Sequence, residues 1–530
     1  MSHPKQFTRF PRASSMVTGV VAVVAMTFPA GIASGDLQSE INDNIIEFLE
    51  VGRTAVPRAE CGPGSLPEAG LQGDVPAAER DNGRSTLGYR CNMSLVGQQS
   101  GIGAGIVSAG FENCSYEGTV ALGAWLHDPD GVRVIDASDP TNPVVTATLS
   151  EPAMSAGTWE TLKVNPARKL LAGLSSPAPV GAGYFSVYDI SDCAHPRLLN
   201  PGPGTNLAQP LPVLTHEGGF SPDGNTFWSS GIVPGSLSAI DISDPSNPHV
   251  IWQGITGIMG HGFGISPDGN RMYLAAAAGF TVLDISDVQN RRPKPNVRHI
   301  GRVFWSDGQA TQHAIPVTYN GRPYVYTADE AGEGGVKLID LSDETDPKLV
   351  NRVKLEINLP ENQDRMLASA MGGASFGYDS HYCTADRIDD PTALACGWIQ
   401  SGVRVFDIRD PENIREIAYY NPPARTGQNL QTLNSPHSLT SFSGAPLVDT
   451  APVLRSILEG TFDPMKALSP RSGDILSADL STDWCMSPPE WRGDRLYVSC
   501  SDNGFMVLQL DNNVYTPPSN QNSTLGTSLR

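Results

Sequence analysis

The chain has 530 residues, Gly 54, Pro 43 and a formal net charge of −20 at pH 7. That charge argues against a nucleic-acid partner, because phosphates must be neutralised by Lys and Arg. The Gly and Pro content favours many short strands over long helices, within one repeat-built body.

Residues 1–33 are expected to form an export signal. Lys5, Arg9 and Arg12 give a positive start, "MVTGVVAVVAMTF" an apolar centre, and "PAGIASG" the small residues of a cleavage site near Ala33. No later stretch is suited to crossing a bilayer, so no membrane span is expected once the signal is removed. The protein is expected to be secreted or periplasmic. Residues 34–84 read as an extension with a short amphipathic helix, carrying Ile41, Ile45, Ile46 and Leu49 on one face. Eight cysteines follow the signal, and an even number in an exported chain predicts disulfides. Sequence proximity pairs Cys91 with Cys114, Cys383 with Cys396 and Cys485 with Cys500, leaving Cys61 for Cys193.

Residues 85–512 repeat one unit. "GVRVIDASDPTNP", "FSVYDISDCAHP", "LSAIDISDPSNP", "FTVLDISD", "VKLIDLSDETDP" and "VRVFDIRDPENI" place Asp136, Asp189, Asp241, Asp284, Asp340 and Asp407 at one position. "FMVLQLDNN" is a degraded seventh copy with Gln509 there. Each copy is a hairpin, and a second hairpin such as "GGFSPDGNTFWSSG" precedes it. Four strands per unit and seven units predict an all-β, seven-bladed β-propeller. The long step before the last copy implies an insertion near 442–482, expected as a loop on the last blade, and 513–530 reads as a disordered tail. The repeated V-x-x-x-D-I-S-D-P-x-x-P signature resembles the LVIVD-repeat β-propeller proteins, found mainly in bacteria. The resemblance implies the fold and assigns no single activity.

Histidines recur at the start of the units. Counted from the turn glycines Gly224, Gly269 and Gly321, His216, His261 and His313 stand at one offset, and Glu160 takes that place one unit earlier. His381 follows in the next unit. In the last unit His437 competes with Cys485 for the position. Innermost strands line a propeller's channel, so these residues are expected to form a ring at one mouth. Three readings stay open. Imidazoles in a ring suit a divalent transition metal, Fe, Cu, Zn or Mn, held by His216, His261, His313, His381 and His437. Glu160 and Glu217 would then act as acid–base groups, with Asp329 and Glu330 near the metal or its outer contacts. Alternatively the histidines tie neighbouring turns together, or act as acids and bases without a metal. The corresponding functions are a metalloenzyme acting on a small organic substrate by oxidation, hydrolysis or elimination, and a secreted binding or adhesion propeller with an extracellular ligand.

Overall fold

In the computed structural model, residues 50–518 are described apart from 121–130, 176–182, 201, 203, 208–214, 233–234, 257–259, 374–375, 427–433, 438–449 and 464–479. The expected signal peptide, the helix expected within 41–49 and residues 519–530 lie outside the described residues.

Period-2 runs separated by tight turns fold into antiparallel meanders, and seven such sheets form a propeller. Blades 1 to 6 begin on the innermost strands Ser108–Phe111, Lys163–Asn165, Glu217–Phe220, Phe263–Ile265, Gln309–Tyr319 and Cys383–Ala385. Blade 7 joins Glu490–Arg492, Arg495–Cys500 and Gly504–Leu510 to the early strand Met93–Gln99. Distant parts of the chain therefore share one sheet, which closes the ring. Apolar side chains fill the seams between blades. Trp228 and Leu237 of blade 3, for example, pack with Phe263, Leu274 and Leu283 of blade 4.

The six repeated Asp residues each end the third strand of their blade. In every case Oδ1 accepts the backbone N–H two residues on. This Asx turn starts the chain reversal. Asp241 also accepts from Ser243 Oγ at 2.5 Å and pairs with Arg291 at 2.8 Å. Asp241→Ala is expected to lower stability by about 1–3 kcal/mol, read by urea denaturation. A loss under roughly 0.5 kcal/mol would mean that the backbone alone holds the turn.

Two disulfides form as expected within single blades, Cys383–Cys396 and Cys485–Cys500. The other two pairings differ from expectation: Cys61 bonds Cys91, and Cys114 bonds Cys193. Contacts between neighbouring elements are the reason. Cys91 ends the strand Tyr89–Cys91, which is added to the edge of blade 6 and touches the extension through the Leu66–Arg90 bridge. Cys114 belongs to blade 1, where Tyr116 Oη donates to Cys193 O. Cys61 thus straps the extension to blade 6, and Val56 N–H adds a bond to Lys354 O.

The insertion is not all loop. It carries the helix Thr450–Glu459, whose Arg455 pairs with buried Glu333 and whose Ser456 Oγ donates to Pro360 O. The helix therefore sits against blade 5 and not the last blade. Tyr515, expected in the disordered tail, is buried against Trp491. No described helix is long and apolar enough to cross a membrane.

Candidate metal centre

Strand pairing defines one position per blade. In blade 3, Ile240 (before the repeated Asp) pairs with Phe227, which pairs with Phe220, and His216 lies four residues earlier. The same count from Val164, Ile265, Pro316 and Ala385 reaches Glu160, His261, Gln312 and His381. In blades 1 and 7 it reaches Ile106 and Ser487.

Gln312, not His313, therefore occupies the channel position of blade 5. The turn explains the difference. Blades 3 and 4 reverse through Ser-Pro-Asp-Gly, whereas blade 5 extends its strands to a two-residue turn, Asn320 and Gly321, both at positive φ. Counting from the glycine is then one residue out, and one residue turns a strand side chain to the other face. His313 points away: its Nδ1–H donates to Gln312 Oε1 at 3.0 Å, and Nε2 accepts from Cys383 N–H at 3.3 Å. Burial pushes its pKa down to about 3, so it is neutral. His437 is also separate. Its Nδ1 bonds Asp502 at 2.7 Å and its ring stacks on Trp484. Cys485 is disulfide-bonded, and Ser487 stands at the last-blade position instead.

Five side chains from five consecutive blades meet. Glu160 Oε2 lies 3.1 Å from His216 Nε2 and 3.6 Å from His261 Nε2, and these two nitrogens are 2.9 Å apart. Glu160 Oε1 lies 3.2 Å from His381 Nε2, which is 3.1 Å from Glu330 Oε1. Glu330 Oε2 returns to His261 Nε2 at 3.6 Å. All but His216 are buried. His381 Nδ1–H donates to Met486 O at 2.7 Å, which turns Nε2 into the cluster. That buried Nε2 makes no well-angled hydrogen bond, although two carboxylates face it. A backbone carbonyl fixing one ring nitrogen while the other faces a donor cluster is how metal-binding histidines are oriented. The spacing fits as well. Two bonds of about 2.1 Å at right angles set their ends roughly 3.0 Å apart. The ligand atoms gather as two triads sharing Glu160, one with His216 and His261 and one with Glu330 and His381, and imidazole with carboxylate suits Zn, Fe, Mn or Cu.

Burial pushes the Glu160 carboxyl up, but the imidazoles of His216, His261 and His381 facing it reverse this, holding it well below the usual range. Burial opposes charge on both other imidazoles, yet Glu160 and Glu330 raise His261 to about 9 and His381 to about 10. Behind the cluster, Gln312 Nε2 donates to Glu160 at 2.8 Å and approaches Glu217 at 3.4 Å. His313 therefore positions Gln312. Burial raises the Glu217 carboxyl, against the pull of Lys163. Glu217 reaches this place because residue 262 is glycine: a Cβ there would lie 1.8 Å from Glu217 Oε2.

The LVIVD repeat family matches residues 232–253, which cover most of the third and fourth strands of blade 3. With seven blades closed around it, that match places an LVIVD repeat within a β-propeller. This chain is an LVIVD-repeat β-propeller. No curated protein matches it. Among solved structures it is similar to the periplasmic gluconolactonase of Pseudomonas aeruginosa, at 14% identity over 59% of this chain and 83% of that one, with a TM-score of 0.42. It is also similar to the WD40 domain of Toxoplasma gondii coronin, at 10% identity over 86% and 90%, with a TM-score of 0.44. Neither likeness bears on what this LVIVD-repeat protein does.

Glu330, noted in the sequence only as an acid after the second strand, is a full member of the cluster. Gln312 had no signal beyond its place before His313. Lys163 and Tyr382, which contact Glu217 and each other, follow Glu160 and His381 closely in sequence.

Proposed function

We propose that this protein is an exported metalloenzyme, with a divalent transition metal bound within the cluster of Glu160, His216, His261, Glu330 and His381, where Glu160 belongs to both triads of ligand atoms. The observation that carries the reading is the single Glu160 carboxylate shared by three imidazoles in one largely buried cluster. The metal, Fe, Cu, Zn or Mn, would supply Lewis acidity or a redox centre. Glu217 would take up or return a proton, since it sits one hydrogen-bonded amide behind the cluster and burial raises its pKa. The substrate would be a small organic molecule, because the cluster lies at a narrow propeller channel. Four disulfides and the lack of free cysteines fit an oxidising compartment.

Metal analysis of the purified chain tests this. About one transition-metal ion per chain is expected after dialysis against Zn²⁺ or Co²⁺. His261→Ala should bring this to background, while His313→Ala keeps the metal and loosens Gln312. Full metal loss in His313→Ala, or none in His261→Ala, would refute the assignment.

A second reading, an extracellular binding propeller, is favoured by one surface. The insertion helix exposes Leu454 (52%), Ile457 (53%) and Leu458 (65%) side by side. A chain that binds no metal, and whose partner binding is lost when these three become polar, would support it.

A further inference from the structure

Beneath the cluster the channel holds a cavity of about 70 Å³. Its walls are mainly apolar, with Ala109, Leu162, Phe263 and Ala314 among them, and Lys163 and Glu217 also line it. The lysine is buried, only 9% exposed. An ammonium has three N–H donors. Among the described residues, the polar contacts of Lys163 Nζ are Glu217 Oε1 and Tyr382 Oη, both at 3.4 Å. The Tyr382 ring lies 4.6 Å away on one side. Two acceptors at that distance leave the third N–H of this buried ammonium for the cavity it lines.

We propose that this cavity binds a small neutral carbonyl compound, whose oxygen accepts from Lys163 Nζ and whose apolar body lies against Leu162, Phe263 and Ala314. Size follows from the volume. At roughly 10–15 Å³ per water-sized unit, the cavity takes about five to seven heavy atoms. Charge selects the head group. Lys163 already faces Glu217, with Glu160 one amide beyond; Arg387 and Glu490 also line the cavity as one further cation and one further acid, and His313 is neutral. A carboxylate head would add a negative charge beside Glu217 and have to share Lys163 with it, which costs more than a neutral acceptor does. A carbonyl oxygen accepts the same hydrogen bond without adding charge. The site needs no metal, so it goes beyond the reading above.

Butan-2-one and butyrate are the probes, titrated at pH 7.5 into the full chain and followed by saturation-transfer NMR, with metal content measured on the same samples. Butan-2-one is expected to bind saturably and more tightly than butyrate. Lys163→Met should weaken it at least tenfold without changing the circular dichroism spectrum. Ala109→Leu, which fills the cavity away from Lys163, should abolish it. Tighter binding of butyrate would overturn the head-group class. No saturable binding of butan-2-one to folded wild-type protein would overturn the site, leaving the cavity to water. Unchanged affinity in Lys163→Met would do the same. Should Lys163→Met fail to fold, wild-type affinity in Ala109→Leu is the overturning result. Metal loss in these samples would count against the metalloenzyme reading alone.

Discussion

Glu160→Gln is expected to abolish metal retention and to destabilise the metal-free protein by about 3 kcal/mol near pH 7. Both effects come from one carboxylate. Its two oxygens face three imidazole nitrogens and the Gln312 amide. Glutamine keeps the shape but removes the charge and turns an N–H₂ toward donors. In the metal-free protein His261 and His381 then lose part of what keeps them charged, leaving Glu330, with Glu217 farther from His261, against two buried imidazolium groups. The cost is limited because either ring can release its proton, so it stays near the lower end for a broken buried ion pair. With metal, the loss is of a charged ligand and should exceed the roughly 10–100-fold typical of outer-contact losses. Urea denaturation of metal-free protein and metal analysis after dialysis read the two effects separately. A variant that keeps both stability and metal would remove Glu160 from the centre of the argument.

The fold was readable because its repeat is physical. Each Asp caps a turn through its own side chain, so the position is needed in every blade and leaves a mark at Asp136 through Asp407. The ring positions were readable where the turn was constant. Glu160, His216, His261 and His381 share one backbone register, and the first three each stand six residues before the proline of a Val-Asn-Pro or Ser-Pro-Asp-Gly turn, Pro166, Pro222 and Pro267. His313 misled because the Asn320–Gly321 turn presents the same glycine after a longer strand. Glu330 reaches the cluster from a second strand, so no count along innermost strands could find it. Proximity paired the cysteines that bridge within a blade, but not Cys114 with Cys193, which joins the neighbouring blades 1 and 2, nor Cys61 with Cys91, which ties the extension to a strand on the edge of blade 6. His437 was drawn in by its neighbourhood in sequence, whereas its partner Asp502 lies across the insertion.

Metal affinity and metal-free stability should depend on pH with opposite signs. The free cluster holds His261 charged to about pH 9 and His381 to about pH 10, because the facing carboxylates outweigh burial. For a histidine whose pKa rises on folding, the stabilisation is complete below the unfolded value, about 6.5, and disappears as pH passes the folded value. Metal-free protein should therefore lose melting temperature steadily between about pH 7 and 10. A metal needs both nitrogens unprotonated, so binding below pH 9 must expel two protons. Each proton contributes about a tenfold gain in affinity per pH unit, so Zn²⁺ should bind roughly 100-fold more tightly for every unit between pH 6.5 and 8.5. Calorimetric titrations of Zn²⁺ at pH 7.5, in buffers of different ionisation enthalpy, should report close to two protons released from these rings per ion. Glu160 adds none, since its carboxyl is already ionised. Release near zero would mean that Zn²⁺ binds away from His261 and His381. The carboxylate–imidazolium cluster would then be a pH-sensitive brace between blades, and its stabilising effect alone would explain why five blades converge on it.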